Sequence, residues 1–536
     1  MFALSAILGM ALAVRMLAWS RAEMMMNDGP HFLWQAQAFF GGDWQAAIGH
    51  HYAPGFGGAT ALVLHVVDDP ALAAISVAMT SGLILVVAAW GLAREAFPET
   101  PGAAPGAALV AAFNVRCVAY TSDIQADGMF AALFLCSAWA LLAATRRDGS
   151  LKHAALGGLI MGLAYLVRLE ALFLCLPLGL WCLGGFTAPT SWRRRLGVSA
   201  VAMATALIGV APYVIGLHEV TGHWGLSNKP SAQQAGLASG DPTQPGAEVS
   251  PLNWPRVSRR AAPAGANTND APGGGTSTPP KAPDRGSFMP SGWAAFFALA
   301  QPPPATADDD PAAPGFGWVG AAHHSMKKFL SAIRLEYLLL IVPGLLTLRR
   351  RRRQLCAVLL LTIAAWLAIT TLQLRLSGFL STRHMMVPIA LLLPVAGAGM
   401  ASLWSKGLAW RVLVALTVIE TLEVAQRDYH SNHRPRLESL AWIEQHSEPE
   451  QLFGTHRQRD GWYARRVPMI VELPVFTEHM AANMRVYDVP WLAFDLDKLQ
   501  ALQPEWLEQE LLIEQVRFGE GDETVVIYAP DFDREH

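Results

Sequence analysis

About eleven stretches of this chain stay apolar for the length of a bilayer crossing, and that pattern constrains the fold more than any motif does. They lie near residues 2–20, 71–94, 104–120, 127–145, 153–168, 169–186, 197–217, 333–348, 355–372, 385–404 and 408–425. A membrane-crossing helix needs roughly 20 mostly apolar residues. It is favoured there because the hydrocarbon layer holds no water to satisfy a bare backbone. Composition agrees: 52% of the 536 residues are hydrophobic and 15% charged, against about 25% charged in an ordinary soluble domain. The expectation is an all-α polytopic membrane bundle. The tightest pair of spans lies between Lys152 and Arg193, with Arg168 and Glu170 marking a turn at the far surface. The opening segment, MFALSAILGMALAVRMLAWSR, lacks the basic start and cleavage site of a secretory signal and reads as an uncleaved first span.

Basic short loops stay on the cytoplasmic side of a membrane. RRDGSLK (146–152), SWRRRLG (191–197), RRRRR (349–353) and SKGLAWR (405–411) are of this kind, and an eleven-span count puts all four on one side. The N-terminus is then cytoplasmic in an inner (plasma) membrane. Left on the outer face are residues 21–70, a short loop near 120–127, residues 218–332 and the stretch QLRLSGFLSTRH. Much of 218–332 is Pro/Gly/Ala/Thr-rich, with too little apolar surface to order itself, so a flexible outer loop is expected there. After Gln426 the chain turns soluble. PRLESLAWIEQH has helical spacing, VPMIVELP and VPWLAF read as strands, DKLQALQPEWLEQELL as a helix, and LIEQVRFGEGDETVVIYAP as a hairpin around Gly-Glu-Gly-Asp. The chain thus divides into a transmembrane domain, 1–426, and a small extracytoplasmic α/β domain, 427–536.

Charges at membrane depth are expensive, so those that stand near span ends are the candidates for chemistry. They are Asp28, Arg116, Asp123, Asp127, Arg168, Glu170, Arg383 and His384, and the topology sends all of them to the outer face. In DGPHFLWQAQAFFGGDW, Phe32, Leu33, Ala36, Phe39 and Phe40 form an apolar stripe at helical spacing, with Gln35 and Gln37 off it and Gly41-Gly42 at its end. This stretch and the following HHYAPGFGGATALVLHVV read as helices lying in the membrane interface. Asp28 precedes the first of them. A carboxylate there can cap the helix, and it can equally serve catalysis.

Other residue classes point away from common chemistries. The five cysteines all fall in apolar runs, which excludes a disulfide framework and a cysteine zinc site. The adjacent pairs His50-His51 and His323-His324 lack the i, i+4 spacing that presents two imidazoles on one helix face, so no metal ligands are assigned and a divalent metal is not expected. A net charge of −3 gives no sign of a nucleic-acid partner, and the arginine run at 349–353 is a topology signal.

The order of motifs is similar to that of the GT-C glycosyltransferases related to protein O-mannosyltransferases and the aminoarabinose lipid A transferases. A hydrophobic span leads to an acid (Asp28), an aromatic helix ending in Gly-Gly and a Y-x-P-G turn. YTSDIQADGMFAALFL resembles the family's second-loop acid leading into a span. GLAYLVRLEALFLCLPLGLW, PYVIGLHEVTGHWGLSNKP and STRHMMVPIALLLPVAGAGM resemble three further family stretches, and LAWIEQH is typical of the opening of the C-terminal domain in bacterial members. The chain departs from the pattern at Gly29, where a second acid is common, at His384, where tyrosine is usual, and at Leu169, where proline is usual.

The resemblance implies a membrane enzyme that moves a sugar from a polyprenyl-phosphate carrier to a protein, lipid or glycan acceptor at the outer face, with no cofactor. It implies Asp28 as the base, Asp127 as the next acid with Asp123 one turn away as its rival, and Arg168, Arg383, Arg116 and Lys229 as ligands of the donor phosphate. Trp224 is a weaker candidate beside Lys229. Two alternatives stand: a transporter or flippase of lipid-linked sugar, and a non-catalytic relative that binds an envelope polymer. A transporter would show repeats and midplane polar groups, and none is evident here.

Overall fold

The computed structural model describes residues 2–50, 52–146, 150–171, 191–228, 318–377, 380–426, 433–448, 451–457, 459–465, 467–470, 489–502, 512–521 and 524–530. Most of the span expected at 169–186 and most of the outer loop at 218–332 lie outside them. Helix α1 (Phe2–Arg21) leads to three short helices, α2 (Gly29–Phe40), α3 (Trp44–Gly49) and α4 (Gly55–Val63), and then to α5 (Pro70–Ala96). Next come α6 (Ala103–Phe113), α7 (Val115–Ala119), α8 (Ala126–Arg146), α9 (Leu151–Val167) and α10 (Trp192–Thr221). The bundle continues with α11 (Trp318–Ile333), α12 (Leu335–Arg351), α13 (Arg353–Ser377), a 3-10 turn (Thr382–Met385), α14 (Met386–Trp404) and α15 (Leu408–Gln426).

Six described helices are long and apolar enough to cross a membrane: α1, α5, α8, α10, α13, and α14 together with its 3-10 turn. Helices α11 and α12 would count as a seventh if taken as one span, but they bend by 99° at a break where Arg334 adopts a positive φ of 66°. Eleven spans were expected, and physical reasons separate the two counts. The 104–120 segment is broken at Asn114, whose Oδ1 accepts the Arg116 and Cys117 N–H groups at 3.1 Å each and so starts α7 afresh. Helix α9 is short, and α15 carries Arg411, Glu420 and Glu423.

The break after α6 is reinforced by Arg15, which is 0% exposed in the bundle interior. Its guanidinium donates to Thr121 Oγ1 at 2.7 Å and to the carbonyls of Ala11 and Ala112 at 3.0 and 3.1 Å. It also donates to the Ala111 carbonyl at 3.4 Å. Ala111 and Ala112 lie in the last turn of α6, the negative end of that helix, where a cation is favoured.

Helices of the bundle approach closely through glycines, as expected where lipid offers no hydrophobic drive between them. A Cβ on Gly162 would lie 3.0 Å from the Gly209 Cα, locking α9 to α10, and one on Gly106 would lie 3.1 Å from the Gly397 Cα, locking α6 to α14. At Gly399 a Cβ would run into the Leu340 carbonyl of α12. Gly399→Val is therefore expected to cost about 1–3 kcal/mol by forcing α12 and α14 apart, read as a lower midpoint of thermal unfolding in detergent.

The C-terminal part forms a mixed sheet. Its elements are α16 (Arg434–His446), β1 (Leu452–Thr455), α17 (Asp460–Ala464), β2 (Val467–Ile470), β3 (Leu492–Asp495), α18 (Leu496–Leu502), β4 (Leu512–Phe518) and β5 (Val525–Pro530). The strand order is β2-β1-β3-β5-β4, with β1 parallel to both neighbours and β5 antiparallel to both of its own. The expected hairpin is β4–β5, turning through Gly519 and Gly521, both at positive φ. Leu440 and Ile443 of α16 pack with Phe453, Ala493 and Ile527 of the sheet. Arg436, 2% exposed, ties the layers together by pairing with Asp460 and Asp495 and donating to Thr455 Oγ1 at 2.7 Å. Strand β1 has no counterpart among the strands read from the sequence.

Candidate active site

Six separate parts of the chain bring polar side chains to one cavity of about 220 Å3. Asp28 comes from the residue before α2, Tyr52 and Ala53 from the turn between α3 and α4, and Asp127 from the first turn of α8. Arg168, Leu169 and Glu170 follow the end of α9, Arg383 and His384 come from the 3-10 turn, and Gln373 comes from α13, its Nε2 3.2 Å from His384 Nε2.

Asp28 occupies the capping position of α2, but its own backbone is helical (φ −79°, ψ −14°) and its side chain makes no capping bond. Capping therefore does not explain it. The carboxylate instead accepts the Tyr52 hydroxyl at 3.0 Å on Oδ1 and the Arg383 guanidinium on Oδ2. Burial alone would raise this carboxyl, but Arg383, His31 and the Tyr52 hydrogen bond together hold it below the usual carboxylate range. Burial and the Asp28 charge push the Tyr52 phenol well above its ordinary value, so it stays a donor.

Tyr52 is fixed from several sides. Its N–H donates to His50 Nδ1 at 3.1 Å, which puts the proton of a neutral His50 on Nε2, 3.3 Å from His31 Nδ1. The His50 ring stacks on Tyr52 with centroids 5.6 Å apart, and Phe32 lies at 5.2 Å. Behind them Gln35, buried although it is off the apolar stripe, donates to the Ala47 carbonyl at 2.9 Å and the Tyr52 carbonyl at 3.2 Å. Gly57 is required beside it, since a Cβ there would meet Gln35 Oε1 at 2.6 Å. Helix α2 is thus largely enclosed, with nine of its residues buried.

The second acid is held in the same way. Arg168 pairs with Asp127 through Nη1 and with Glu170 through Nη2 at 2.9 Å and Nε at 3.3 Å. Arg168 can reach both because it is the C-cap of α9 in extended conformation (φ −147°, ψ 126°), which turns its side chain off the helix. The cavity thus holds three carboxylates, two guanidinium groups and an imidazole.

The structure separates the remaining expected ligands from this group. Asp123 does not line the cavity. It precedes the start of α8, and its Oδ1 accepts the Met26 N–H at 3.3 Å and the Ile124 N–H at 2.6 Å, a role in holding loops together. Of the two rivals it is Asp127, inside the helix, that faces the cavity. Arg116 sits half-buried on α7, away from the cavity wall. Lys229 and His51 lie outside the described residues, and Trp224 stacks on His218 at 4.1 Å. Among the described residues no group of three or more His, Cys, Asp or Glu side chains is placed to hold a metal ion. Gly29, where the family resemblance leads to the expectation of a second acid, is packed on Met25: a Cβ there would come within 2.7 Å of its Sδ. Tyr52 was quoted in the sequence only as part of a turn motif. Its signal is a hydroxyl two residues before a proline in the loop that also carries Asp28.

The comparisons with known proteins bear on this site. The profile of the family described as dolichyl-phosphate-mannose-protein mannosyltransferase matches residues 51–215, which takes in Tyr52, Asp127 and Arg168. The fold is similar to that of ArnT from Cupriavidus metallidurans bound to undecaprenyl phosphate, with a TM-score of 0.53 at 14% identity, covering 98% of this chain and 97% of that one. The chain resembles the GT-C glycosyltransferases. A second GT-C structure, the oligosaccharyltransferase of Archaeoglobus fulgidus in its apo form, matches with a TM-score of 0.50 at 13% identity, covering 97% of this chain and 74% of that one. No curated protein matches in sequence. The GT-C resemblance therefore rests on the family profile over the first part of the chain and on the fold along nearly all of it.

Proposed function

We propose that this chain is a membrane glycosyltransferase that transfers a sugar from a polyprenyl-phosphate carrier to an acceptor hydroxyl at the outer face. The observation that carries the reading is the single cavity in which Asp28 and Asp127 are each bound to an arginine, Arg383 and Arg168. Sugar transfer needs a carboxylate to take the proton of the attacking hydroxyl and cations to hold the departing phosphate. In the pairing seen, Asp28 is a weak base because Arg383 stabilises its charge. A donor phosphate that draws Arg383 and Arg168 toward itself would loosen both carboxylates as the reactants assemble. The acceptor oxygen then attacks the anomeric carbon, the bond from that carbon to the phosphate oxygen breaks, and the proton passes to Asp28. The polyprenyl phosphate leaves held by the two arginines.

The remaining particulars belong to the same proposal. They are eleven spans with the basic loops cytoplasmic, a boundary near 426, a C-terminal domain on the outer face, and no cofactor. The test is to reconstitute the protein in liposomes with radiolabelled polyprenyl-phosphate sugars and an envelope extract as acceptor. Release of free polyprenyl phosphate with label moved to acceptor supports the reading. Label that crosses the bilayer still attached to its carrier would make the protein a flippase.

Tyr52→Phe separates the base from its surroundings. Removing the hydroxyl takes one hydrogen bond from the ionised carboxyl, so the folded-state pKa of Asp28 rises toward its ordinary value. The ion-pair stabilisation is present above the unfolded carboxyl pKa and is lost as pH falls through the folded one. With the variant, that loss begins at higher pH. The acidic limb of the pH–rate profile is expected to move upward, with the rate at neutral pH changed by roughly tenfold or less.

A further inference from the structure

We infer that Arg459 and Tyr463 of the C-terminal sheet unit are positioning residues for Asp28, acting through the strap Glu23–Met26 that runs between α1 and the acid. The inference rests on the glycosyltransferase reading above, and it makes the C-terminal unit part of the active centre.

All four residues of the strap are fixed, three of them by the C-terminal unit. The Glu23 carboxylate accepts the His433 N–H at 3.0 Å. Met24 is 1% exposed and packs with Leu440, Ile443, Phe453 and Ile527 in the core of the unit. Met25 is gripped on both sides of its backbone: its N–H donates to the Tyr463 hydroxyl oxygen at 2.8 Å, and its carbonyl accepts from Arg459 Nη1 at 3.0 Å. Met26 is then tied to Asp123 of the neighbouring outer loop, and Asp28 follows two residues on.

Arg459 does not behave as a residue placed to hold its own domain together. It is 6% exposed, yet it forms no ion pair with a carboxylate among the described residues, and its Nε has no partner. Its other polar contact is Nη2 donating to His433 Nε2 at 3.3 Å, and His433 is itself the residue that holds Glu23. A buried guanidinium is costly without a carboxylate beside it. Here it is directed wholly at the strap and the residue supporting it. The fold of the unit has its own ionic tie in Arg436 with Asp460 and Asp495, so the strap contacts can be removed without touching it.

A displacement of Asp28 by a fraction of an ångström alters its pairing with Arg383 and its aim at an acceptor hydroxyl, and misplacement of about 1 Å can cost about 10²-fold in rate. The donor phosphate is held by Arg168 and Arg383, neither of which the strap carries, and a looser Asp28 leaves Arg383 at least as free to hold it. Loosening the strap should therefore lower kcat and leave the donor KM in place.

The experiment uses the full chain in nanodiscs and compares Arg459→Met, Arg459→Lys, Tyr463→Phe and Asp28→Asn. Expected for Arg459→Met and Tyr463→Phe are a kcat lower by about tenfold, an unchanged KM for the lipid-linked donor, an acidic limb moved to higher pH, and faster hydrogen exchange at residues 23–28. Arg459→Lys, which still offers a donor to the Met25 carbonyl, should recover most of the rate. Tyr463→Phe removes a single oxygen and guards against a variant that fails to fold. If Asp28→Asn is inactive while Arg459→Met and Tyr463→Phe keep wild-type kcat, pH profile and exchange, the strap inference is wrong and the glycosyltransferase reading stands. If Asp28→Asn is fully active, the reading itself fails. Exchange at 23–28 still decides whether the unit holds the strap.

Discussion

Asp28→Asn is expected to lower the rate of sugar transfer by about 10²–10⁴-fold, the usual contribution of a positioned general base, while the protein stays folded. Asparagine keeps the shape and can still accept the Tyr52 hydroxyl, but it cannot take a proton from an attacking hydroxyl. It also leaves Arg383 without its carboxylate in a site where the side chain is 22% exposed, so some stability is lost as well. Two measurements keep the effects apart. Thermal unfolding of the purified variant reports the stability change, and binding of a polyprenyl phosphate reports the proposed donor site. With Arg383 freed, binding of the lipid phosphate should be unchanged or tighter while turnover is lost. A variant that turns over at the wild-type rate would remove Asp28 from the chemistry and leave it a structural partner of Arg383.

Arg168→Ala should be the most damaging change on the donor side. Arg168 serves two carboxylates, and its removal leaves Asp127, 5% exposed, and Glu170 facing each other without it. Breaking a buried pair from one side costs about 3–5 kcal/mol. Loss of a charged donor at the leaving group costs about 10²–10³-fold in rate. Polyprenyl-phosphate binding should weaken together with kcat/KM, in contrast to Asp28→Asn. Arg168→Lys keeps the charge but not the planar fork, so it can hold Asp127 or Glu170 but not both at once, and it should recover only part of the loss. Undiminished binding of the lipid phosphate by Arg168→Ala would place the donor elsewhere.

The parts of this molecule legible in the sequence are those set by local chemistry. Apolar stretches mark the helices of the bundle because burial in lipid needs only length and composition. Gly41-Gly42 ends α2 and Gly-Glu-Gly-Asp turns the hairpin because both turns use positive-φ glycines, at Gly42, Gly519 and Gly521. The stranded charges form a group of eight, of which Asp28, Asp127, Arg168, Glu170, Arg383 and His384 line one cavity while Arg116 and Asp123 do not. What stayed hidden depends on direction and on long-range contact. Choosing Asp127 over Asp123 required knowing that α8 starts at Ala126. Gln35 was read as off the buried stripe, yet it is buried by α3 and the Tyr52 turn, which no helical period shows. Gln373 reaches the cavity from more than 300 residues beyond Asp28. Strand β1, LFGT, holds a glycine within its four residues and shows no alternation, so it carries no strand signal of its own.

Arg15 has a bearing on how the protein is made. Helix α1 leaves the ribosome before the rest of the described bundle, carrying a guanidinium more than halfway along its length. Three of the acceptors that satisfy it, the carbonyls of Ala111 and Ala112 and the hydroxyl of Thr121, are synthesised about a hundred residues later. Until they arrive, an arginine near the centre of a lone helix carries an insertion penalty of about 2.5–3.5 kcal/mol. Helix α1 can therefore settle into its final seat only after the segment through Thr121 has followed it into the membrane. Biogenesis of the described bundle then closes around this earlier helix from behind, with the break after α6 as the latch.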